Sequence, residues 1–375
     1  LGISSAALGV ASSTERDELI DWIRGTDNKP DDEAGPGDGV TVRPSIHGDV
    51  LHSRPAVVNY GGDVGVVLFY GSNDGMLHAV YGAQTGDDAG EHLWSFVPEE
   101  HFARLKRLRE NSPRISFPNL VLPPSEPAPT PRDYFVDGPI STYHKVATDG
   151  STERVYLYVE MRRGGRFLYA FDVTDPTAPT FIWKQSSAQV PSLGQTWSEA
   201  RVVRLKGHAN PAIIMGGGYD PAEDQAPRGD ITMGDSIIVL DAFTGDVLKV
   251  FTEPDRPVAA DISVVDSDYD GFIDRAYAVD LGGTIYRIDF EQQTADGLST
   301  DVADWEATEL ANLGSSESRK FFFAPDVVLT KSYAIVLLGS GDREKPLAEG
   351  TQDYFFAVID SNLGKGIAGV TEPME

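Results

Sequence analysis

A chain of 375 residues can hold two average domains or one large all-β domain, and its 41% hydrophobic and 24% charged residues are globular values. Thirty-one basic residues against 58 acidic ones give a net charge of −27, which would repel a polyphosphate over most of the surface and argues against nucleic acid as a partner. No cysteine occurs, so disulfides, thiolate zinc sites and cysteine nucleophiles are excluded, and no apolar run reaches the roughly 18 residues that would span a bilayer.

The opening "LGISSAALGVASS" has neither an initiating Met nor a basic leader, and reads as the edge of a fragment. A helix is predicted over "STERDELIDWIRG": Thr14 and Asp17 fit a capping pattern, Leu19, Ile20 and Ile23 share a face, and Gly25 can stop it. Thr26 to Gly39, rich in acids and turn formers, is expected as an exposed loop. A second helix fits "PEEHFARLKRLRENS", burying Phe102, Leu105 and Leu108. Its Arg104, Lys106, Arg107 and Arg109 read as a solvated face, with a partner-docking patch as the alternative. The proline-rich stretch that follows, up to Tyr134, is expected to wander as a loop or edge hairpin.

Elsewhere short β-branched and aromatic runs alternate with Gly, Asp and Asn, the signature of antiparallel strands and tight turns. One unit returns, starting at Gly71, Arg162, Gly234, Asp280 and Thr351: a glycine or polar turn, then a strand that usually closes on Asp. The aspartates Asp172, Asp241, Asp289 and Asp360 are irregularly spaced but never closer than a four-stranded sheet requires. Propeller blades explain this recurrence, whereas a β-sandwich does not.

The stretch that carries chemistry is "VVDSDYDGFIDRAYAVD". Asp266, Asp268 and Asp270 take positions 1, 3 and 5 of an EF-hand-like loop, Gly271 the position-6 turn, Phe272 a backbone carbonyl ligand and Asp274 position 9. Alternate residues of a tightly curled loop can point inward together, and glycine permits the reversal. A hard, oxygen-seeking ion of flexible coordination suits such a set, so Ca2+ is expected. Position 12 is Tyr277 and the flanks read as strands, so this is not an ordinary EF-hand; a solvated acidic turn is the alternative.

Other motifs read as structure. "GGGYD" over Gly216–Asp220 is a strand end with a tight turn, and His78 and His144 sit in strand-like runs where structural histidines are usual. No catalytic set assembles, and no enzyme is expected. Arg228, Gly229 and Asp230 spell an RGD tripeptide in a polar loop, a match that chance produces readily and an integrin-type receptor could read.

"IHGDVLHSRPAVVNYG", "YGSNDGMLHAVYGAQTG", "WSFVPEEHF", "YFVDGPIS", "IIMGGGYD", "DSDYDGFIDRAYAVDLGGTIYRIDF" and "GSGDREKPL" occur in that order. Together they closely resemble the C-terminal domain of the PilY/PilC family of type IV pilus biogenesis proteins and tip adhesins. The resemblance implies an all-β fold, a modified β-propeller of about seven irregular blades with inserted helices and loops. It implies one C-terminal domain over 1–375, with 1–45 leading in, 46–362 forming the propeller and 363–375 a tail, the N-terminal region of the full-length protein being absent. It also implies a calcium site linked to pilus extension and retraction, twitching motility and surface attachment. The expected location is the cell surface, at the pilus tip or outer membrane, reached through the periplasm. Pilins or minor pilins are the expected partners, together with a host receptor or surface; no membrane span is expected. The alternatives are a quinoprotein-like dehydrogenase propeller, which the flavour of "VLDAFTGDVLKVF" suggests, and a calcium-stabilised binding module unrelated to pili.

Overall fold

The computed structural model describes residues 2–29, 42–43, 47–314, 319–347 and 350–363. Most of the expected acidic loop (30–39) and all but the first residue of the expected tail (364–375) lie outside the described residues. The chain falls into two compact units, Leu1–Asp137 and Gly138–Glu375.

In the first unit, α1 (Ser13–Ile23) precedes a four-stranded antiparallel meander of β1 (Ala56–Asn59), β2 (Val66–Gly71), β3 (Leu77–Tyr81) and β4 (His92–Phe96). A helix, α2 (Phe102–Glu110), follows. The cap of α1 is Ser12 rather than Thr14: its Oγ accepts the Glu15 N–H at 3.1 Å while Glu15 Oε2 accepts the Ala11 N–H at 2.8 Å. Of the three hydroxyl residues in "SST", Ser12 alone has a glutamate three positions on, and that glutamate closes back over the cap onto the preceding Ala11 N–H. Leu8, Leu19, Leu105 and Phe135 form the core between these helices and the following segment.

The basic run on α2 is a set of internal ties. Arg107 donates to Asp133 (2.7 Å) and to the carbonyls of Pro113 (2.9 Å) and Pro131 (2.8 Å), Arg104 to the Tyr134 carbonyl (2.7 Å), and Lys106 pairs with Glu15 (2.6 Å). The proline-rich segment lacks N–H groups for a ladder. It makes one isolated bridge, Ile115 to Thr130, and is held down by these guanidinium donors.

The second unit holds two four-stranded meanders that begin with β5 (Ile140–Val146), β6 (Thr152–Glu160), β7 (Phe167–Asp172) and β8 (Thr180–Ser186). The next comprises β9 (Arg201–Val203), β10 (Ala212–Gly216), β11 (Ile237–Asp241) and β12 (Val247–Phe251). The sequence continues with β13 (Ser263–Val265), β14 (Arg275–Val279) and β15 (Thr284–Asp289). A small hairpin, β16 (Gln292–Thr294) and β17 (Gly297–Ser299), then interrupts before β18 (Glu306–Asn312) completes that sheet beside β15. Three strands end the unit: β19 (Asp326–Leu329), β20 (Ala334–Gly339) and β21 (Phe355–Asp360). The five recurrences of the turn–strand unit coincide with the third strand of five sheets, β3, β7, β11, β15 and β21. Where about seven blades are expected, the described residues hold these five, because α2, the proline-rich segment and loops fill the longer intervals.

Apolar clusters join consecutive sheets of the second unit. Leu168 and Ala170 pack with Ile213 and Leu240, Ile214 and Val239 with Ala276 and Ile288, and Tyr277 and Ile285 with Val336 and Leu338. Covered on both faces, β10, β11, β14 and β15 are buried at every residue, which is why β10 and β11 read as continuous apolar runs, while β14 and β15 also bury the charged Arg275, Arg287 and Asp289.

Between the last two sheets lies a buried ionic network. Arg287 contacts Asp289 (2.8 Å) and Asp360 (3.0 Å), Arg275 approaches Asp289 (3.5 Å), and the Tyr277 hydroxyl donates to Asp360 (2.7 Å). Removing one partner leaves an opposite charge in an apolar layer. Asp360→Ala is therefore expected to cost about 3–5 kcal/mol in denaturant unfolding; a cost under about 1 kcal/mol, the scale of an exposed pair, would contradict this.

Asp280, at the β14–β15 turn, is 1% exposed and accepts the N–H groups of Gly282 (2.8 Å) and Thr284 (3.0 Å). Burial pushes its carboxyl up to about 6. Because the folded state holds the proton more tightly than the unfolded chain, this group's stabilisation is full below its ordinary value near 3.8 and is lost as pH rises through about 6. Asn keeps the acceptor oxygen without the charge. The stability difference between Asp280→Asn and the parent should therefore move in the variant's favour by up to about 3 kcal/mol between pH 3.5 and 7.5. Parallel urea titrations giving the same difference at both pH values would contradict it.

Candidate metal centre

The antiparallel register of β13 and β14 pairs Val265 with Arg275, so the residues that follow and precede them, Asp266 and Asp274, face each other across the hairpin mouth. The Asp274 N–H donates to the Val265 carbonyl (3.0 Å) and the Ile273 N–H to the Arg204 carbonyl (2.8 Å), which seats the returning limb. Tyr269 (φ +61°) and Gly271 (φ +88°) both adopt the left-handed conformation, and these two residues curl the loop back on itself.

The carboxylates are held by the loop's own donors. Asp266 accepts the N–H groups of Asp270 (3.2 Å) and Gly271 (2.9 Å). Asp268 accepts Asp270 N–H at 3.3 Å. Asp274, 1% exposed, accepts the Ser267 N–H at 2.6 Å and the Ser267 hydroxyl. One carboxylate oxygen from each of Asp266, Asp268 and Asp274 lies within 4.8 Å of the others. Two oxygens on one calcium ion can be no further apart than twice the bond length of about 2.3–2.6 Å, a bound this spacing meets, so small side-chain rotations would bring the three onto a common ion. The all-oxygen, all-anionic donor set suits the same class of cation.

Asp270, also expected as a ligand, is drawn to a neighbouring cation. The Asp270 carboxylate turns to the Lys206 ammonium at 2.6 Å and accepts the Phe272 N–H at 2.9 Å. The hydrogen bond from Lys206 holds the Asp270 carboxyl below its usual range. Lys206 also reaches the buried Glu291 at 3.0 Å, and the bonds to Asp270 and Glu291 push the ammonium above its ordinary value. The Phe272 ring lies under the Arg204 guanidinium, 4.3 Å from its centroid. Lys206 and Arg204 come from the β9–β10 sheet end, and nothing in the spacing of the acidic stretch announces them.

Arg228 and Asp230 of the RGD tripeptide are exposed, while the Gly229 N–H is bonded to the Ala222 carbonyl (3.1 Å) at the end of a short 3-10 turn. Arg228 is 4.0 Å from Glu223. Among the described residues no helix is long and apolar enough to cross a membrane.

Comparison with known proteins places the chain in a family. The model of the PilY1 β-propeller domain matches residues 63–322. The type IV pilus biogenesis factor PilY1 of Pseudomonas aeruginosa strain UCBPP-PA14 is 29% identical over 306 residues, covering 74% of this chain and 23% of that protein. A PilY1 homolog of Xylella fastidiosa strain Temecula1 is 25% identical over 352 residues, 86% of this chain and 26% of that protein. The chain thus spans about a quarter of the length of these relatives, which are named as pilus biogenesis factors. The crystal structure of the P. aeruginosa PilY1 C-terminal domain superimposes with a TM-score of 0.59 at 22% identity, over 83% of this chain and 60% of that one, a likeness of fold. With the family model running from the first sheet through the acidic loop to Phe322, the chain belongs to the PilY1 β-propeller domain family.

Proposed function

We propose that this propeller is the calcium-responsive, non-enzymatic part of a type IV pilus biogenesis and tip-associated protein, and that the loop 266–274 sets the balance between pilus extension and retraction. The observation that carries the reading is the convergence of Asp266, Asp268 and Asp274 on one point at the mouth of the β13–β14 hairpin. Its setting supports the same reading: the family's relatives are named for pilus biogenesis, and the loop sits at the edge of a rigid sheet from which a change in loop shape can be presented to a partner.

Bound there, Ca2+ supplies the positive charge that lets three carboxylates share a point. Asp274 acts as the fixed ligand, since burial and the Ser267 donors hold it in one place. Asp266 and Asp268, more exposed, close on the ion from the outgoing limb. A partner that prefers the closed loop over the open one gains only the difference in calcium affinity between the two, typically about 1–3 kcal/mol or 5–150-fold. Pilins or minor pilins at the tip are the proposed readers of that difference, at the cell surface or outer membrane after export through the periplasm. Twitching motility and attachment to a host receptor or surface are the proposed consequences, with the exposed Arg228–Asp230 segment a candidate contact for such a receptor.

Calorimetric titration of the domain should show one Ca2+ site. Asp268→Ala, at an exposed position, and Asp266→Ala should weaken it at least tenfold while leaving thermal unfolding of the calcium-free protein unchanged, and cells carrying either should lose twitching. Unaltered binding in both variants would sink the site; normal binding loss with normal twitching would sink the switch. Lys206→Met removes a fixed positive charge beside the ion and releases Asp270 to join the ligands, so it should tighten calcium binding; weaker binding with the fold intact would show that Asp270 is better placed by its lysine than by the ion.

A further inference from the structure

A second ligand cluster lies in the first unit. His47, Asp74 and His78 bring one ligand atom each within 4.8 Å of the others. Asp74 and His78 flank the β2–β3 turn and β3, with side chains 9% and 5% exposed, and the His78 Nε2 lies 3.1 Å from Asp74 Oδ2. His47 arrives from the preceding segment and stacks on His78, ring centroids 4.9 Å apart.

The hydrogen bonds around the cluster fix the orientation of its two rings and its carboxylate. His47 Nδ1 faces the carbonyl of Gly48 at 2.5 Å; a carbonyl only accepts, so Nδ1 carries the proton and the Nε2 lone pair accepts the Tyr70 hydroxyl at 2.9 Å, a bond that a metal ion would replace. His78 Nδ1 is engaged by the Ser95 hydroxyl at 3.0 Å, on the side away from Asp74, while Nε2, facing the Asp74 carboxylate at 3.1 Å, holds the proton that a metal ion would displace. A ring nitrogen tied to an outer partner while the other points at a shared centre is the arrangement of metal-binding histidines. The Gly48 N–H (3.0 Å) and the Ser72 hydroxyl hold the carboxylate of Asp74, and the Ser72 Oγ also lies 3.0 Å from His78 Nε2, beside the ligand atoms.

From this geometry we propose that His47, Asp74 and His78 form a binding site for a divalent transition-metal ion, Zn2+ foremost, separate in place and chemistry from the acidic loop. Two imidazoles and one carboxylate are borderline donors that suit zinc, and they discriminate against calcium, which seeks oxygen. Ligand atoms of a tetrahedral zinc site stand roughly 3.3 Å apart, so the present cluster needs only small side-chain rotations to close. His47, His78 and Tyr70 form part of the wall of a cavity of about 810 Å³ that Ile20, Phe102 and Leu105 also line. The coordination sphere therefore has an open side toward a largely apolar cavity, where a small anionic ligand could complete it.

The test is zinc binding by the chelator-stripped full chain, followed by competition with a coloured chelator and by the visible spectrum of the Co2+ form. One Zn2+ per chain is expected, undiminished by millimolar Ca2+, with intense tetrahedral Co2+ bands. His47→Ala, at an exposed position, should weaken zinc at least tenfold and abolish those bands without changing the circular dichroism; Asp266→Ala and His144→Ala should do neither. His78→Gln, buried, serves as a second ligand variant if its melting curve matches the parent's. Zinc held as tightly by His47→Ala as by the parent, less than one ion per chain, or octahedral Co2+ bands alone would overturn the proposal.

Discussion

The constraint on which the site depends is the register of one hairpin. Because Val265 pairs with Arg275, Asp266 and Asp274 cannot separate without breaking strand pairing, and the two left-handed residues curl Asp268 into the same space. At the observed spacing each pair of ionised carboxylates repels by about 1–3 kcal/mol at the effective dielectric of a protein surface or of water. Backbone N–H groups of Asp270 and Gly271 and both donors of Ser267 absorb part of this. Lys206, the nearby cation, is shared between Asp270 and Glu291, so its charge serves the rim of the loop more than its centre.

Beneath the loop the structure is stiff for a related reason. Asp274 and Arg275 are neighbours in sequence on a strand, so their side chains take opposite faces: Asp274 goes to the loop, and Arg275 to the buried network with Arg287, Asp289 and Asp360. Burial of β14 and β15 on both faces fixes these side chains further, so the loop is mounted on an element with little freedom to follow it. Exposure in the loop is greatest from Asp268 to Gly271, away from this buried support.

Much of this was legible because it is local. The returning turn–strand unit marks the third strand of every blade-type sheet among the described residues, since the aspartate that closes β7 and β11 accepts N–H groups of the turn that follows. The clustering of carboxylates in the acidic loop was legible because its aspartates are nearly contiguous. What escaped depends on distant segments: Lys206 reaches Asp270 from another sheet, and His47 meets Asp74 and His78 only when β2 and β3 fold beneath it. His78, read as a structural histidine in a strand, shows no sequence pairing with His47 because the two come from different segments. The basic run of α2 misled differently. Its charges read as solvated or partner-facing, yet Arg104 and Arg107 bind carbonyls of a proline-rich segment that has few donors of its own to offer, and Lys106 pairs with Glu15.

The central claim, one divalent ion held by oxygen atoms of the hairpin mouth, is tested most directly by anomalous diffraction from crystals of the domain grown in calcium. The account predicts a single strong anomalous peak within about 2.3–2.6 Å of carboxylate oxygens of Asp266, Asp268 and Asp274. No peak there, with the three carboxylates turned outward to solvent while the strands remain paired, would contradict it.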